Sequence, residues 1–307
     1  MWEAIDSNIK KSLSRYKKAL IIVFVYYVVV LFLLSYASSS VELESLFDSG
    51  RYLTPLIPFY NRWTQLELIF LVFAPISGLI GALIGGYVLG PVLLFTRKII
   101  LGSKILCGIQ ERPQPPTFDK ISRAYFPALM ALSINFIILF SAPQIFELIV
   151  NAEAMGYMSG FIVLLMFTTG LGTLVFAPTW FLTDAGIVYS NEKKVLGKDQ
   201  PVEIRTVGGR FTDFLRGYAG IGVVFSYLQF LILYFSETAI SILNPTELIG
   251  TLVFFFGFPA FIFIAIIPSL IILDVTKEHR IRFIRKIAEK MGITEFLEIS
   301  VEKVNRR

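Results

Sequence analysis

Six long apolar stretches alternate with polar segments along the chain, and none of the six contains Lys or Arg. A bilayer core about 30 Å thick is crossed by roughly 20 apolar residues in an α-helix, because each residue advances the helix by about 1.5 Å. The pattern therefore predicts an all-α, polytopic integral membrane protein with six transmembrane helices. The predicted spans are residues 19–35, 66–95, 126–150, 158–182, 219–243 and 248–273.

The composition excludes several other classes of protein. Of the 307 residues, 55% are hydrophobic and 17% are charged, whereas soluble domains carry about 25% charged residues. Soluble enzymes, disordered chains and secreted disulfide scaffolds do not fit these values. The single cysteine, Cys107, has no partner for an internal disulfide, and the single histidine, His279, cannot build a multi-histidine metal site. We therefore expect no metal and no cofactor.

Basic residues are confined to alternate segments between the spans. Of the 28 Lys and Arg residues, 26 lie in segments 1–18, 96–124, 183–218 and 274–307. Cytoplasmic flanks of membrane helices hold an excess of Lys and Arg, so we expect a multi-pass protein of the cell membrane with both termini in the cytoplasm. Ionisable groups near a span centre mark proton and ion pathways, and their absence here disfavours a proton pump or a metal transporter.

The even-numbered spans end alike, which predicts an internal repeat. Pro91, Pro178 and Pro268 each precede the first charged residue by six positions, and they are 87 and 90 residues apart. Spans three and five also begin alike, with Arg123-Ala-Tyr125 and Arg216-Gly-Tyr218. This predicts three tandem helical hairpins (10–110, 118–200 and 211–290) in one transmembrane domain, 1–275, followed by a C-terminal tail, 276–307. The alternative is that proline and arginine simply favour the ends of membrane helices.

Span two contains small residues at every fourth position. Such residues let a second helix approach closely, which is how membrane helices gain packing energy. We expect them to form a helix-packing face; the alternative is that the prolines of this span create a hinge or a half-helix near a ligand. The helix-packing candidates are Gly78, Ala82, Gly86 and Gly90.

A few neutral polar residues lie deep within the predicted spans. An unsatisfied polar group in hydrocarbon costs several kcal/mol, so each must face another helix or a polar cavity. They would line a solute pathway, or they would hold helices together, the threonines by bonding to the preceding helical turn. The pathway candidates are Asn135, Thr168, Thr169, Thr173, Tyr227 and Gln229.

Two basic segments are predicted to form amphipathic cytoplasmic helices. Residues 97–109 alternate basic and aliphatic groups, and residues 276–291 place Ile284 and Ala288 on one helical face and Lys277 and Arg280 on the other. Such helices lie on the anionic inner leaflet or dock a cytoplasmic partner. The expected partners are therefore membrane lipids. Nucleic acid is not expected, because membrane topology already accounts for the positive charge.

Two functions remain after these exclusions. The leading hypothesis is a small-solute transporter or channel-like permease with a neutral polar pathway. The rival is a non-catalytic membrane scaffold or lipid-handling subunit of a larger membrane complex; a homo-oligomer is compatible with either. We do not expect an enzyme, because the spans contain no histidine and the chain has neither a Gly-x-Ser-x-Gly nor a His-Glu-x-x-His motif.

Overall fold

The computed structural model describes most of the chain from residue 62 to residue 293. The described ranges are 62–101, 106–110, 117–142, 157–190, 205–237 and 245–293, together with isolated positions between 10 and 29 and between 144 and 148. Predicted span one and the last residues of predicted spans three and five therefore lie largely outside the described residues.

The structure is mostly helical. Helix α1 (Arg62–Ile84) leads through a π-helical turn (Gly85–Leu89) into α2 (Gly90–Leu101). After the short α3 (Thr117–Ser122) come α4 (Tyr125–Ser141) and α5 (Tyr157–Asp184). The chain then forms α6 (Val207–Glu237), α7 (Pro245–Val275) and α8 (Lys277–Lys290).

Three stretches of the described helices are long and apolar enough to cross a membrane. They are Ile69–Thr96, Asp119–Ile138 and Gly160–Asp184. A shorter apolar stretch, Ile262–Val275, lies within α7. Membrane insertion is therefore compatible with the structure.

Helices α1 and α5 pack backbone against backbone. A Cβ atom added to Gly81 would overlap the carbonyl oxygen of Gly170, and one added to Gly85 would overlap that of Leu174. Hydroxyl groups join the same two helices, since Ser77 Oγ donates to the Met166 carbonyl at 2.7 Å. The absence of side chains at these positions lets the helices approach closely, as in other membrane helix pairs.

The π-helical turn lies directly before Pro91. Proline has no N–H group to donate to the carbonyl four residues earlier, so a regular α-helix loses a hydrogen bond there. The chain accommodates this with a wider turn, in which the Gly90 N–H bonds to the Gly85 carbonyl. By contrast, α1 continues through Pro75 as a regular α-helix.

Helix α4 ends well before the predicted limit of span three. Its last residue is Ser141, and Ala142 leaves the helical conformation with φ −142°. Residue 143 is proline, which disfavours the helical conformation of the residue before it. The expected single helix over 126–150 is thus wrong at its outer end.

A small antiparallel sheet, which the sequence analysis did not predict, joins two of the basic segments. Strand β1 (Leu106–Ile109) pairs with β2 (Ile187–Ser190), which pairs in turn with β3 (Arg205–Thr206). The all-α class therefore needs this correction. The amphipathic helix expected over 97–109 is also wrong, because the helix ends at Leu101 and Leu106 begins a strand whose backbone pairs with a distant segment.

Candidate functional site

The basic segments 96–124, 183–218 and 274–293 meet at one end of the helical bundle, which we call the basic end. The sheet brings Cys107 opposite Tyr189, and ion pairs bring Arg123 to Asp184 and Lys120 to Asp274. Candidate functional groups therefore lie in two places, among the polar residues at mid-depth and at the basic end.

Asn135 is completely buried between α4 and α5. Its Nδ2 donates to the Phe161 carbonyl at 3.2 Å. Its Oδ1 is the one buried side-chain oxygen or nitrogen that lacks a hydrogen-bond partner among the described residues. A buried amide oxygen is normally satisfied by a donor, so this atom is a place where a donor group of water or of a solute would fit chemically.

The three threonines of α5 that are pathway candidates are buried and hydrogen-bonded to backbone. Thr168 and Thr169 both donate to the Leu165 carbonyl in their own helix, at 3.2 and 2.7 Å. Thr173 Oγ1 lies 2.9 Å from the Gly78 carbonyl of α1 and equally close to the Gly170 carbonyl. The hydroxyls of Thr168 and Thr169 are therefore satisfied within α5, and that of Thr173 also joins α5 to α1.

The remaining pathway candidates lie on α6. Tyr227 is half-buried, and its ring meets the edge of Phe136 with centroids 6.0 Å apart. The side chain of Gln229 lies outside the described residues. Tyr227 is thus close to the residue after Asn135. Thr173 is twelve residues along α5 from Phe161, or about 18 Å, so the structure places it at a different depth.

The helix-packing candidates of span two are all buried. A Cβ on Gly78 would lie 3.1 Å from Ser269 Oγ, and one on Gly86 would overlap the Phe181 ring. Ala82 is 1% exposed, and Gly90 lies near Ile284 of α8. These positions meet α5, α7 and α8.

The basic end contains a buried cluster of charged side chains, of which Asp184 is the centre. Arg123 donates to both Asp184 oxygens, at 2.9 and 3.2 Å. Nη1 of Arg280 lies 3.5 Å from Asp184 Oδ2, and both side chains are less than a tenth exposed. The carboxylate at the end of α5 therefore joins the segment before α4 to α8.

A second pair completes the cluster. Lys120 Nζ lies 2.6 Å from Asp274 Oδ1, and each side chain is 9% exposed. Buried pairs of this kind are costly to break, because the remaining charge stays uncompensated. Lys120 and Asp274 thus tie α3 to the end of α7.

Arg280 also caps α7. Its Nε and Nη2 donate to the Leu273 carbonyl at 3.1 and 2.7 Å, and its guanidinium lies 4.6 Å from the centre of the Phe181 ring. Burial holds the pKa of Arg280 below its usual value. This residue was expected on the polar face of a surface helix, so its burial corrects the prediction.

Helix α8 packs on the bundle through part of its apolar face. Ile284 and Ala288 are buried in the same core as Phe181, while Arg282 and Lys286 are exposed. Much of the face expected to meet lipid or a cytoplasmic partner is thus covered by the protein itself.

Lys277 is the half-buried cation of the cluster. It has no hydrogen bond or ion pair among the described residues. Burial lowers the pKa of Lys277, Lys120 and Arg123 lower it further, and Asp184 and Asp274 act in the opposite direction. The group is thus held near other cations without a direct anionic contact.

The sequence contains one signal for this cluster. Asp184 and Asp274 are the charged residues six positions after Pro178 and Pro268. Their partners lie 61 and 154 residues away in the chain, so no local pattern identifies the pairs.

Among the described residues, no group of three or more His, Cys, Asp or Glu side chains could hold a metal ion. Comparisons with known proteins add no assignment, because the chain matches no protein family, no curated protein and no solved structure.

Proposed function

We propose that this protein is a non-catalytic membrane scaffold, a subunit around which other membrane components assemble. The observation that carries the proposal is the use of Thr168, Thr169 and Thr173. These residues have at most 1% of their surface exposed, and their hydroxyls are bonded to backbone carbonyls. Thr173 stabilises a helix contact in this way, and the hydroxyls of Thr168 and Thr169 are satisfied within α5, so none of the three offers its proton to a moving solute.

The outer surface of α1 and α2 supports the same proposal. Large apolar side chains are exposed repeatedly between residues 69 and 99, and a surface of this extent faces lipid or a partner chain. Its exposed members include Val72, Phe73, Ile76, Ile80, Leu83, Ile84, Val88, Val92 and Phe95.

A small-solute permease is the second candidate, and Asn135 favours it. The unpaired Oδ1 of this residue would accept a hydrogen bond from a neutral solute passing between α4, α5 and α6. A permease of this kind would use Asn135 and Tyr227, with the threonines confined to packing.

Cysteine labelling separates the two proposals. In a variant in which Cys107 is serine, we would introduce cysteine at 135, at 173 or at the exposed position 213, and treat the protein in intact membranes with a small charged thiol reagent. A scaffold predicts that only the cysteine at 213 reacts. Rapid labelling at 135 would contradict the scaffold and support the permease.

A size measurement gives the scaffold a positive test. We expect the native complex, extracted in mild detergent, to contain polypeptides other than this chain and therefore to exceed the 34.6 kDa mass of one chain after correction for detergent. A monomer, or a complex made only of copies of this chain, would contradict the proposal. Co-elution of the three cysteine variants with the parent protein controls for folding.

We further propose the complete architecture that the charge pattern predicts: six spans in three tandem hairpins, in the cell membrane, with both termini in the cytoplasm. The meeting of three basic segments at one end of the bundle supports this topology. Reporter fusions at residues 110, 200 and 300 should all locate to the cytoplasm, and a single fusion exported across the membrane would contradict it.

A further inference from the structure

The buried cluster at the basic end has more positive than negative charge. Its cations are Lys120, Arg123, Lys277 and Arg280, and its carboxylates are Asp184 and Asp274. The C-terminal ends of α5 and α7 each add about half a negative charge from the helix dipole. About one positive charge remains unbalanced, and burying it is unfavourable unless an anion accompanies it.

The unbalanced charge lies on the accessible side of the cluster. The Arg123 side chain is 21% exposed and Lys277 is half-buried, whereas Arg280 is 4% exposed. Arg280 is occupied by Asp184 and by the Leu273 carbonyl. Both Nη atoms of Arg123 also donate to Asp184. Lys277 is therefore the cation that an incoming anion would meet first, and the partly exposed Arg123 adds positive charge nearby.

The first turn of α8 adds hydrogen-bond donors beside Lys277. The residue that precedes it, Thr276, makes no side-chain cap, because its hydroxyl donates back to the Ile272 and Leu273 carbonyls. A helix start that lacks a side-chain cap favours an anion, and here it adds to the charge of the cluster.

We propose that a phosphate group binds on the accessible side of this cluster, held by Lys277 and attracted by the positive charge of Arg123. An ammonium group is a side chain that proteins use for phosphate. The cluster lies where the apolar helix Gly160–Asp184 ends, which is the depth of lipid head groups, and basic pockets at this depth bind anionic lipids. The phosphate would belong to a lipid or to a free phosphate ion.

The test compares two lysines of α8 that undergo the same change. Lys277→Met removes the proposed ligand, while Lys286→Met removes an exposed charge of the same helix. The full chain in neutral detergent is heated in the presence of phosphatidic acid, phosphatidylcholine, inorganic phosphate or chloride at equal ionic strength. The midpoint of unfolding is measured against concentration.

We expect phosphatidic acid to raise the midpoint of the parent protein and of Lys286→Met, and to bind Lys277→Met at least tenfold more weakly. In neutral detergent alone, Lys277→Met should be at least as stable as the parent, because it removes a repelling charge. This opposite effect distinguishes a ligand from a merely structural lysine.

The remaining outcomes identify the source or reject the site. Stabilisation by inorganic phosphate that also requires Lys277 would assign the site to a free ion, and stabilisation by phosphatidic acid alone would assign it to a lipid. Equal responses of the two lysine variants to every anion would overturn the proposal, as would a loss of stability of Lys277→Met in neutral detergent. The inference does not depend on whether the protein is a scaffold or a permease.

Discussion

Replacing Asp184 by asparagine should destabilise the protein far more than the same change at Asp213. Asparagine keeps the size of the side chain and one acceptor oxygen but removes the charge. Asp184 accepts two hydrogen bonds from Arg123 and lies 3.5 Å from Arg280. Asp213 is 79% exposed and 3.8 Å from a half-exposed Arg216.

The burial of the two carboxylates sets the expected magnitudes. Removing one partner of a buried ion pair costs about 3–5 kcal/mol, because Arg123 and Arg280 would remain buried without their counter-charge. An exposed pair contributes about 0–1 kcal/mol. The difference between the variants should therefore be at least about 2 kcal/mol, the gap between those two ranges.

Unfolding in mixed micelles, followed by tryptophan fluorescence, measures the difference, since Trp180 is buried in α5 near the cluster. Asp184→Asn should unfold at a much lower mole fraction of denaturing detergent than the parent or Asp213→Asn. The double variant Arg123→Gln/Asp184→Asn should lose less stability than the two single changes added together. Equal unfolding of Asp184→Asn and Asp213→Asn would refute the assignment of a buried ionic cluster.

Three further predictions follow from crowding and charge, each measured by the same unfolding assay. Gly81→Ala should lower the free energy of unfolding by about 1–3 kcal/mol through overpacking, because the methyl group meets the backbone of α5. Gly220 has open space around it, so Gly220→Ala should stabilise α6 by up to about 1 kcal/mol. Gly186→Ala should be more harmful than Gly292→Ala: both glycines have positive φ, 74° and 77°, but only a Cβ at Gly186 would overlap a backbone oxygen. At pH values between the lowered pKa of Lys277 and its ordinary value of 10.5, the unfolded chain binds more protons than the folded protein does. The free energy of unfolding should therefore rise with pH in that range. Lys277→Met should flatten that rise.

Equivalent positions in the sequence do not have equivalent environments. Arg123-Ala-Tyr125 and Arg216-Gly-Tyr218 look alike, but Arg123 pairs with a buried carboxylate, while Arg216 is half-exposed and lies 4.9 Å from the centre of the Phe126 ring. A sequence motif specifies the residue type, whereas the packing of neighbouring helices determines its burial and its partner.

Some features of this protein follow from the sequence by itself. Apolar runs at Ile69–Thr96 and Gly160–Asp184 are long enough to cross a membrane, because transfer of apolar residues from water depends on composition and length and not on tertiary partners. The spacing of the basic segments likewise predicts that they share one side of the membrane.

Only the tertiary structure decided the chemistry of the basic end. Three of its features depend on residues far apart in the chain. They are the pairing of Lys120 with Asp274, the burial of Arg280 beside Asp184 and the pairing of strand Leu106–Ile109. Local periodicity reports which face of a helix is apolar, but it contains no distance between segments. Those distances depend on tertiary packing, of which the close contact of α5 with the glycines at 81 and 85 is one example.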